Sequence, residues 1–459
     1  MSQSAADQPV PPPSRLFGLK PSALLTLKAM LVGGLTLALL IPLYMVWDAI
    51  DERHNRYNEA VREIGRAWGL PQRLAGPTLL LPYTTSERDK EGTVRVYRHQ
   101  LRVLPETMTI AASAAPEVRY RGLFEAVVYV VDLDIYGEFL VPDLAEHAPT
   151  GTLDPAGIAV QLGVSDPRSI ALETGLLFGD RTLTLEPASD AILGGVLSGR
   201  LGAQPGPGPG ERIPYRIKLK LNGSESLSFL PLGRETRVSV AAPWPSPSFF
   251  GAWLPAERSI GERGFEASWR VSYLGRSYGQ AWNSTDIPSG LRERVHAGAF
   301  GVNFLQTVTP YRETERAIKY GILFIALTFV MYLMFEMVSG RPIHLLQYGA
   351  VGLSLCVFYL LLLSLSEQLG FFWAYAVSAT AIVGQTTAYT LAATRRKRFA
   401  LGFGGGLSGL YAFLYVLMQM ESYSLLSGAI ALFLVLSALM WMTRNLNRMA
   451  MPGAQTRAT

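Results

Sequence analysis

The sequence predicts a membrane protein of mixed α and β class. It reads as one N-terminal transmembrane helix, a large β-rich, sandwich-like domain outside the membrane, and a C-terminal five-helix transmembrane bundle. Three observations lead there. Only 17% of the 459 residues are charged and the mean hydropathy is +0.21, whereas a soluble globular chain is about one quarter charged. Long uncharged apolar runs stand near the N-terminus and again after residue 319. Between them, short segments alternate apolar and polar residues with Gly and Pro punctuation, the pattern of strands. The lone cysteine, Cys356, excludes a disulfide framework and any cysteine-based zinc site.

Residues 1–28 read as a cytoplasmic tail with Arg15, Lys20 and Lys28. Residues 29–47 follow, 19 residues without a charge, long enough for a hydrocarbon core of about 30 Å. A cleaved signal peptide has an apolar region of about 7–15 residues. This run is longer and ends in Tyr44, Trp47 and Asp48, so it predicts an uncleaved signal anchor with Trp47 at the interface. Residues 48–316 form the outer, periplasmic domain. It begins with a helix over 48–68, in which Ile50, Tyr57, Val61, Ile64 and Trp68 share one face, and Gly69 and Pro71 end it.

Strand patterns fill the rest of the domain. Residues 78–83, 93–98, 124–139 and 265–273 each read as strands. Residues 213–221 alternate strictly up to Asn222-Gly223, a hairpin signal. Residues 205–210 alternate Pro and Gly and read as a surface loop. Leu133-Asp134-Ile135-Tyr136-Gly137 followed by Val164-Ser165-Asp166-Pro167 is echoed by Leu219-Lys220-Leu221-Asn222-Gly223 followed by Val240-Ala241-Ala242-Pro243. Two tandem β units are one reading of that echo, and chance similarity between strands is the other.

Five further spans are expected at 320–338, 345–365, 371–393, 399–418 and 425–443, with a cytoplasmic tail at 444–459. Loop charges set the orientation. With the N-terminus cytoplasmic, the inner side gathers Arg15, Lys20, Lys28, Arg341, Arg395, Arg396, Lys397, Arg398, Arg444, Arg448 and Arg457. The short outer loops then hold Glu367 and Glu421 and no Lys or Arg. The run Arg395, Arg396, Lys397 and Arg398 is read as a topology determinant that can also meet anionic lipid. The charge split removes a nucleic-acid partner. Residues 48–316 hold 29 Lys and Arg against 32 Asp and Glu, a net of −3. The rest holds 12 against 4, so the basic excess behind the pI of about 9.2 lies beside the apolar segments.

Little in the sequence suggests chemistry. The five histidines show no metal or catalytic spacing, and no phosphate-binding loop or nucleophile elbow is present. No cofactor or metal is therefore expected. Gly402-Phe403-Gly404-Gly405-Gly406 lies inside a span and reads as a close-packing stretch. Glu336, with Arg341 and His344 nearby in sequence, reads as an interfacial polar cluster, with a proton or ligand site as the alternative. The span centres hold no carboxylate, which counts against ion-coupled transport. Residues 243–255 place Trp244, Phe249, Phe250 and Trp253 among four prolines. They read either as a stiff connection packed on the β core or as a partner surface.

Several segments together resemble the CreD family of bacterial inner-membrane proteins. They include Gly76-Pro77-Thr78-Leu79-Leu80-Leu81-Pro82-Tyr83, Arg121-Gly122-Leu123-Phe124-Glu125, Gly163-Val164-Ser165-Asp166-Pro167-Arg168 and Phe229-Leu230-Pro231-Leu232-Gly233. Trp244-Pro245 with Pro247-Ser248-Phe249-Phe250-Gly251 belongs to the same set. The most specific stretch is Thr314-Glu315-Arg316-Ala317-Ile318-Lys319-Tyr320-Gly321-Ile322-Leu323-Phe324. The resemblance implies a cell-envelope integrity protein linked to envelope stress, and it carries no catalytic or binding residues. The leading expectation is a non-enzymatic envelope protein whose outer domain binds an unidentified periplasmic partner or senses envelope state. The alternative is lipid or small-molecule handling by the C-terminal bundle. The lipid bilayer is the other expected partner, and the sequence sets no oligomeric state.

Overall fold

The computed structural model describes residues 21–88, 93–170, 175–202, 206–304, 310–339 and 343–419, with scattered positions between 426 and 440. The chain divides into two compact units. One comprises Met1–His54 with Val308–Thr459, and the other Asn55–Thr307.

The first unit is helical. It holds α1 (Pro21–Ala38) and the start of α2 (Leu40–Trp68). The apolar residues predicted as the anchor fall across these two helices, and α2 runs on through the polar positions predicted as helix. Two short helices of the second unit follow, α3 (Leu144–His147) and α4 (Leu291–Ala297). The remaining helices belong to the first unit: α5 (Pro310–Lys319), α6 (Gly321–Ser339), α7 (Leu345–Leu369), α8 (Phe371–Thr394) and α9 (Lys397–Gln419).

Among the described residues, three helices are long and apolar enough to cross a membrane: Thr26–Trp68, Leu345–Leu369 and Lys397–Gln419. A fourth counts if the pair Glu313–Lys319 and Gly321–Glu336, bent by 49°, is one span. The expected span at 371–393 is a helix, but its threonines and Gln385 keep it out of that set. The expected span at 425–443 lies largely outside the described residues. Gly404 explains the close packing read from its glycine-rich stretch, because a Cβ there would stand 2.4 Å from Thr387 Oγ1.

The second unit is a β sandwich. Its strands are β1 (Gln72–Arg88), β2 (Val94–Val103), β3 (Thr107–Arg121), β4 (Phe124–Leu140), β5 (Thr152–Leu153) and β6 (Ala159–Val164). Then come β7 (Gly175–Phe178), β8 (Arg181–Asp190), β9 (Gly194–Arg200), β10 (Arg212–Ser224), β11 (Ser226–Leu230) and β12 (Glu235–Ala242). The last are β13 (Pro247–Gly251), β14 (Glu257–Gly261), β15 (Gly264–Ser272), β16 (Ala281–Asn283) and β17 (Phe300–Phe304). One sheet runs β13–β17–β11–β1–β6–β9, with β2 and β16 continuing from the far half of β1. The other runs β14–β15–β12–β3–β4–β10–β7, antiparallel except for the parallel pair β12–β3. Strand β8 joins the two, pairing with β7 over its first half and β9 over its second.

One core fills the space between the sheets. Leu79, Leu101 and Val160 come from one sheet, and Ile110, Ile135, Leu219 and Trp269 from the other. The echoed segments are therefore not separate units: Leu133 and Leu219 are direct partners on neighbouring strands and share this core. The predicted hairpin at Asn222-Gly223 is also corrected. Both residues lie inside β10, and the chain turns at Glu225, with φ 59°, to pass from one sheet to the other. Gly223 is needed for another reason: a Cβ there would stand 2.4 Å from the ring of the fully buried Tyr129.

The outer face of the second sheet is covered at one end by the last turns of α2. Val61 and Ile64 pack on Ala126 and Val128, with Tyr57 and Trp68 at the edges. Trp68 donates its indole N–H to the Tyr129 carbonyl at 3.2 Å and lies under the Arg119 guanidinium at 3.6 Å. Leu70, just past the helix, donates its N–H to Asp166. Burial works to raise the Asp166 pKa, but Arg168 and this N–H outweigh it and hold the carboxyl below its usual range.

Candidate functional site

The aromatic segment is not a free loop. Its middle, β13, is a strand paired with β17. Trp244, Phe249 and Trp253 pack against the main core. Phe249 meets Phe265 and Trp269 edge-on at 5.8 and 5.6 Å, and the Trp253 carbonyl accepts the Trp269 indole N–H. Their exposure is partial because they cover one end of the sandwich. Phe250 is half-buried, and Leu254, at 70% exposure, is the apolar side chain of this segment that faces solvent.

At the membrane unit, Glu336 forms an ion pair with Lys28 and accepts the Tyr348 hydroxyl at 2.8 Å. Lys28 also donates to the Ile343 carbonyl at 2.6 Å. The sequence paired Glu336 with Arg341 and His344. His344 instead caps α7, its ring nitrogen accepting the Leu346 N–H at 3.2 Å, and Arg341 lies outside the described residues. Lys28 was legible only as a charge before the first apolar run, because its partner is 308 residues away. A second ion pair, Arg53 with Glu367 at 3.8 Å, joins the far side of the same apolar run to the α7 end. Arg395, Arg396, Lys397 and Arg398 are all exposed at the turn between α8 and α9.

A broad concavity of the β unit lies elsewhere, on the part of the second sheet that α2 leaves open. It is a trough of about 1020 Å³. Its floor is the parallel pair β3–β12, which sets Ala111 beside Ser239 and Ser113 beside Ala241. Asp132 and Asp134 on β4, with Lys218 and Lys220 on β10, form one wall. Glu266 and Ser268 on β15, with Glu257 and Arg258 on β14, form the other. A second hollow of about 630 Å³ adjoins it around Tyr136, Leu177 and Arg216.

Alternation explains the arrangement. Every second residue of these strands enters the core, and the intervening ones face outward. On β3 and β12 the outward residues at the trough are small, and on the flanking strands they are charged except for Ser259 and Ser268. The charges on the β4–β10 wall are laced together. Arg216 grips Asp134 with two hydrogen bonds, at 2.9 and 2.5 Å, and Lys220 meets Asp132 at 3.2 Å. The Arg216 hydrogen bond holds the Asp134 carboxyl below its usual range, burial opposing it. Sequence reasoning missed this site. The one signal was a pair of strands with Ala and Ser at outward positions, where charged residues are the rule. Among the described residues, no group of three His, Cys, Asp or Glu is arranged to hold a metal ion.

The described residues thus define a membrane-anchored protein with one large β sandwich. The family model described as "Inner membrane protein CreD" matches residues 24–449. The chain is also 31% identical over 420 residues to "Inner membrane protein CreD" of Escherichia coli strain K12, covering 90% of this chain and 91% of that protein. The chain belongs to the CreD family. Among solved structures, an M1 zinc metallopeptidase from Deinococcus radiodurans matches at 9% identity and a TM-score of 0.19, covering 44% of this chain and 42% of that one. A mutant of the same type of enzyme matches at 10% identity and 0.18, covering 37% and 38%. The chain spans about two fifths of these structures, and such scores carry no likeness of fold or activity.

Proposed function

We propose that this is a non-enzymatic inner-membrane protein of the cell envelope whose β domain binds an envelope component through the open trough. The observation that carries the reading is the trough itself. It is a broad concavity, built on a paired sheet, with convergent polar groups. Family membership supports the inner-membrane placement.

The proposed topology has six spans at the positions read from the sequence, both termini cytoplasmic and residues 48–316 periplasmic. The two ion pairs support it. Lys28 and Arg53 are separated by about 38 Å of helix at 1.5 Å per residue, close to the thickness of a bilayer with its interfaces. Each finds its carboxylate at one end of that length. The exposed run Arg395–Arg398 then lies on the cytoplasmic side with Lys28.

In vivo photocrosslinking tests the binding reading. A crosslinker at Ser239 should yield adducts that mass spectrometry identifies as envelope components, and a chain lacking residues 69–304 should fail to restore an envelope-stress phenotype. A deletion that restores it fully, with no adducts from position 239, would sink the reading.

A further inference from the structure

The trough and the hollow beside it have a distinct charge pattern. Four acids line them, Asp132, Asp134, Glu257 and Glu266, and four bases balance these, Arg216, Lys218, Lys220 and Arg258. Two of the acids are already bound to Arg216 and Lys220. A polyanion or a polycation laid here would meet as much repulsion as attraction.

The floor also disfavours a protein partner. Protein interfaces draw their energy from large anchors seated in pockets. No outward-facing floor residue of the trough is larger than serine, and the exposed large side chains nearby, Leu177 and Tyr136, stand in the adjoining hollow rather than on the floor. What the surface offers is small hydroxyls (Ser113, Ser239, Ser259 and Ser268) between carboxylates and amines, with Tyr136 44% exposed at one end and the Arg216 guanidinium 5.9 Å from its ring centre. Donors and acceptors alternate, and one ring can carry an apolar face. The walls stand three strand spacings apart, about 14 Å. Once the wall side chains take their share, that width suits a single flat chain and is narrow for a helix of about 10–12 Å.

We propose that the trough binds an extended, uncharged glycan strand of the envelope, laid along β3 and β12 with one sugar ring on Tyr136. The inference rests on the reading that this face binds an envelope component, and it specifies which chemistry.

The test uses the full-length chain in detergent micelles, titrated calorimetrically with the tetramer and hexamer of β-1,4-linked N-acetylglucosamine. Heparin serves as a polyanion of similar extent. Saturable binding is expected, tighter for the hexamer, weakly dependent on salt and not displaced by heparin. Ser239→Trp fills the floor and should weaken binding at least about tenfold, while Ser239→Ala, which keeps the space, should change it far less. Tyr136→Ala, at an exposed position, should weaken it as well and guards against misfolding of the tryptophan variant.

Absence of saturable binding, displacement by heparin, or binding unchanged in both Ser239→Trp and Tyr136→Ala would overturn the proposal. If the oligosaccharides fail while crosslinks from position 239 capture a protein, the glycan inference falls and the binding face stands. If neither appears, both fall.

Discussion

Arg102 should be the most sensitive charged position in the β domain. Its side chain is fully buried. It donates to Thr78 Oγ1 at 2.6 Å, to Gln161 Oε1 at 3.0 Å and to Asp190 in an ion pair. Burial presses the guanidinium pKa down and Asp190 opposes that shift. Replacing Arg102 with Met keeps most of the volume and removes every donor. The general cost of stripping a buried ion pair of one partner is about 3–5 kcal/mol. Two features set the value here. Asp190 is 12% exposed and its other oxygen keeps the N–H groups of Ile192 and Leu193 at 2.9 and 2.8 Å, so water and backbone soften the loss. Gln161 and Thr78 each lose a buried partner, about 1 kcal/mol apiece. The expected loss is therefore about 4 kcal/mol. The assay is urea unfolding of the full chain in micelles, followed by tryptophan fluorescence, since Trp282 is the neighbour of Arg102 in register. A midpoint lower by about 1–2 M is expected, and the double variant with Asp190→Asn should recover part of it. A loss below about 1 kcal/mol in Arg102→Met would refute the assignment of this network as a keystone.

Two other outcomes follow from ion pairs described above. The Asp134 carboxyl ionises more readily folded than unfolded, so its bond with Arg216 stabilises the domain above the usual carboxylate range of about 4 and is lost as pH falls through the lowered folded value. Acid titration of the unfolding midpoint should show this loss, and Arg216→Gln should flatten that part of the curve; an identical curve would argue against the bond. In the membrane unit, Lys28→Met removes the cation from Glu336. Protease-resistant chain in membranes should fall several-fold, and the exchange of Lys28→Glu with Glu336→Lys should restore part of it. Equal accumulation of all three would show that the pair does not matter for assembly.

Periodicity made much of this architecture legible. Residues 213–221 alternate because one side of β10 enters the core and the other faces solvent, and both facts are local. The helix over 48–68 showed its face because Val61 and Ile64 recur at helical spacing. Legibility failed where a residue serves a distant partner. Asn222-Gly223 looked like a turn, yet the glycine makes room for the Tyr129 ring. The aromatics at 244–253 read either as a connection packed on the core or as a surface, and only the fold shows Trp244, Phe249 and Trp253 packed on the core. Arg102 alternates with Leu101 and Val103 as a solvent-facing residue would, and only the fold brings Thr78, Gln161 and Asp190 over it. The trough was invisible because alanine and serine carry no signal until strands far apart in sequence set them side by side.

That distance has a consequence for how the domain comes into being. Ala111 and Ser239 are paired in register yet 128 residues apart along the chain. Closing a loop of that length costs about 4 kcal/mol of chain entropy before any contact forms. The hairpin of β3 and β4 can form locally, but β12 must arrive and lie parallel to β3, and β15 must then cover its far edge. A chain that has emerged only as far as β10 therefore has one wall and half of the floor. The proposed binding face is completed late in biogenesis, so an arrested or clipped domain could keep most of its strands and still bind nothing.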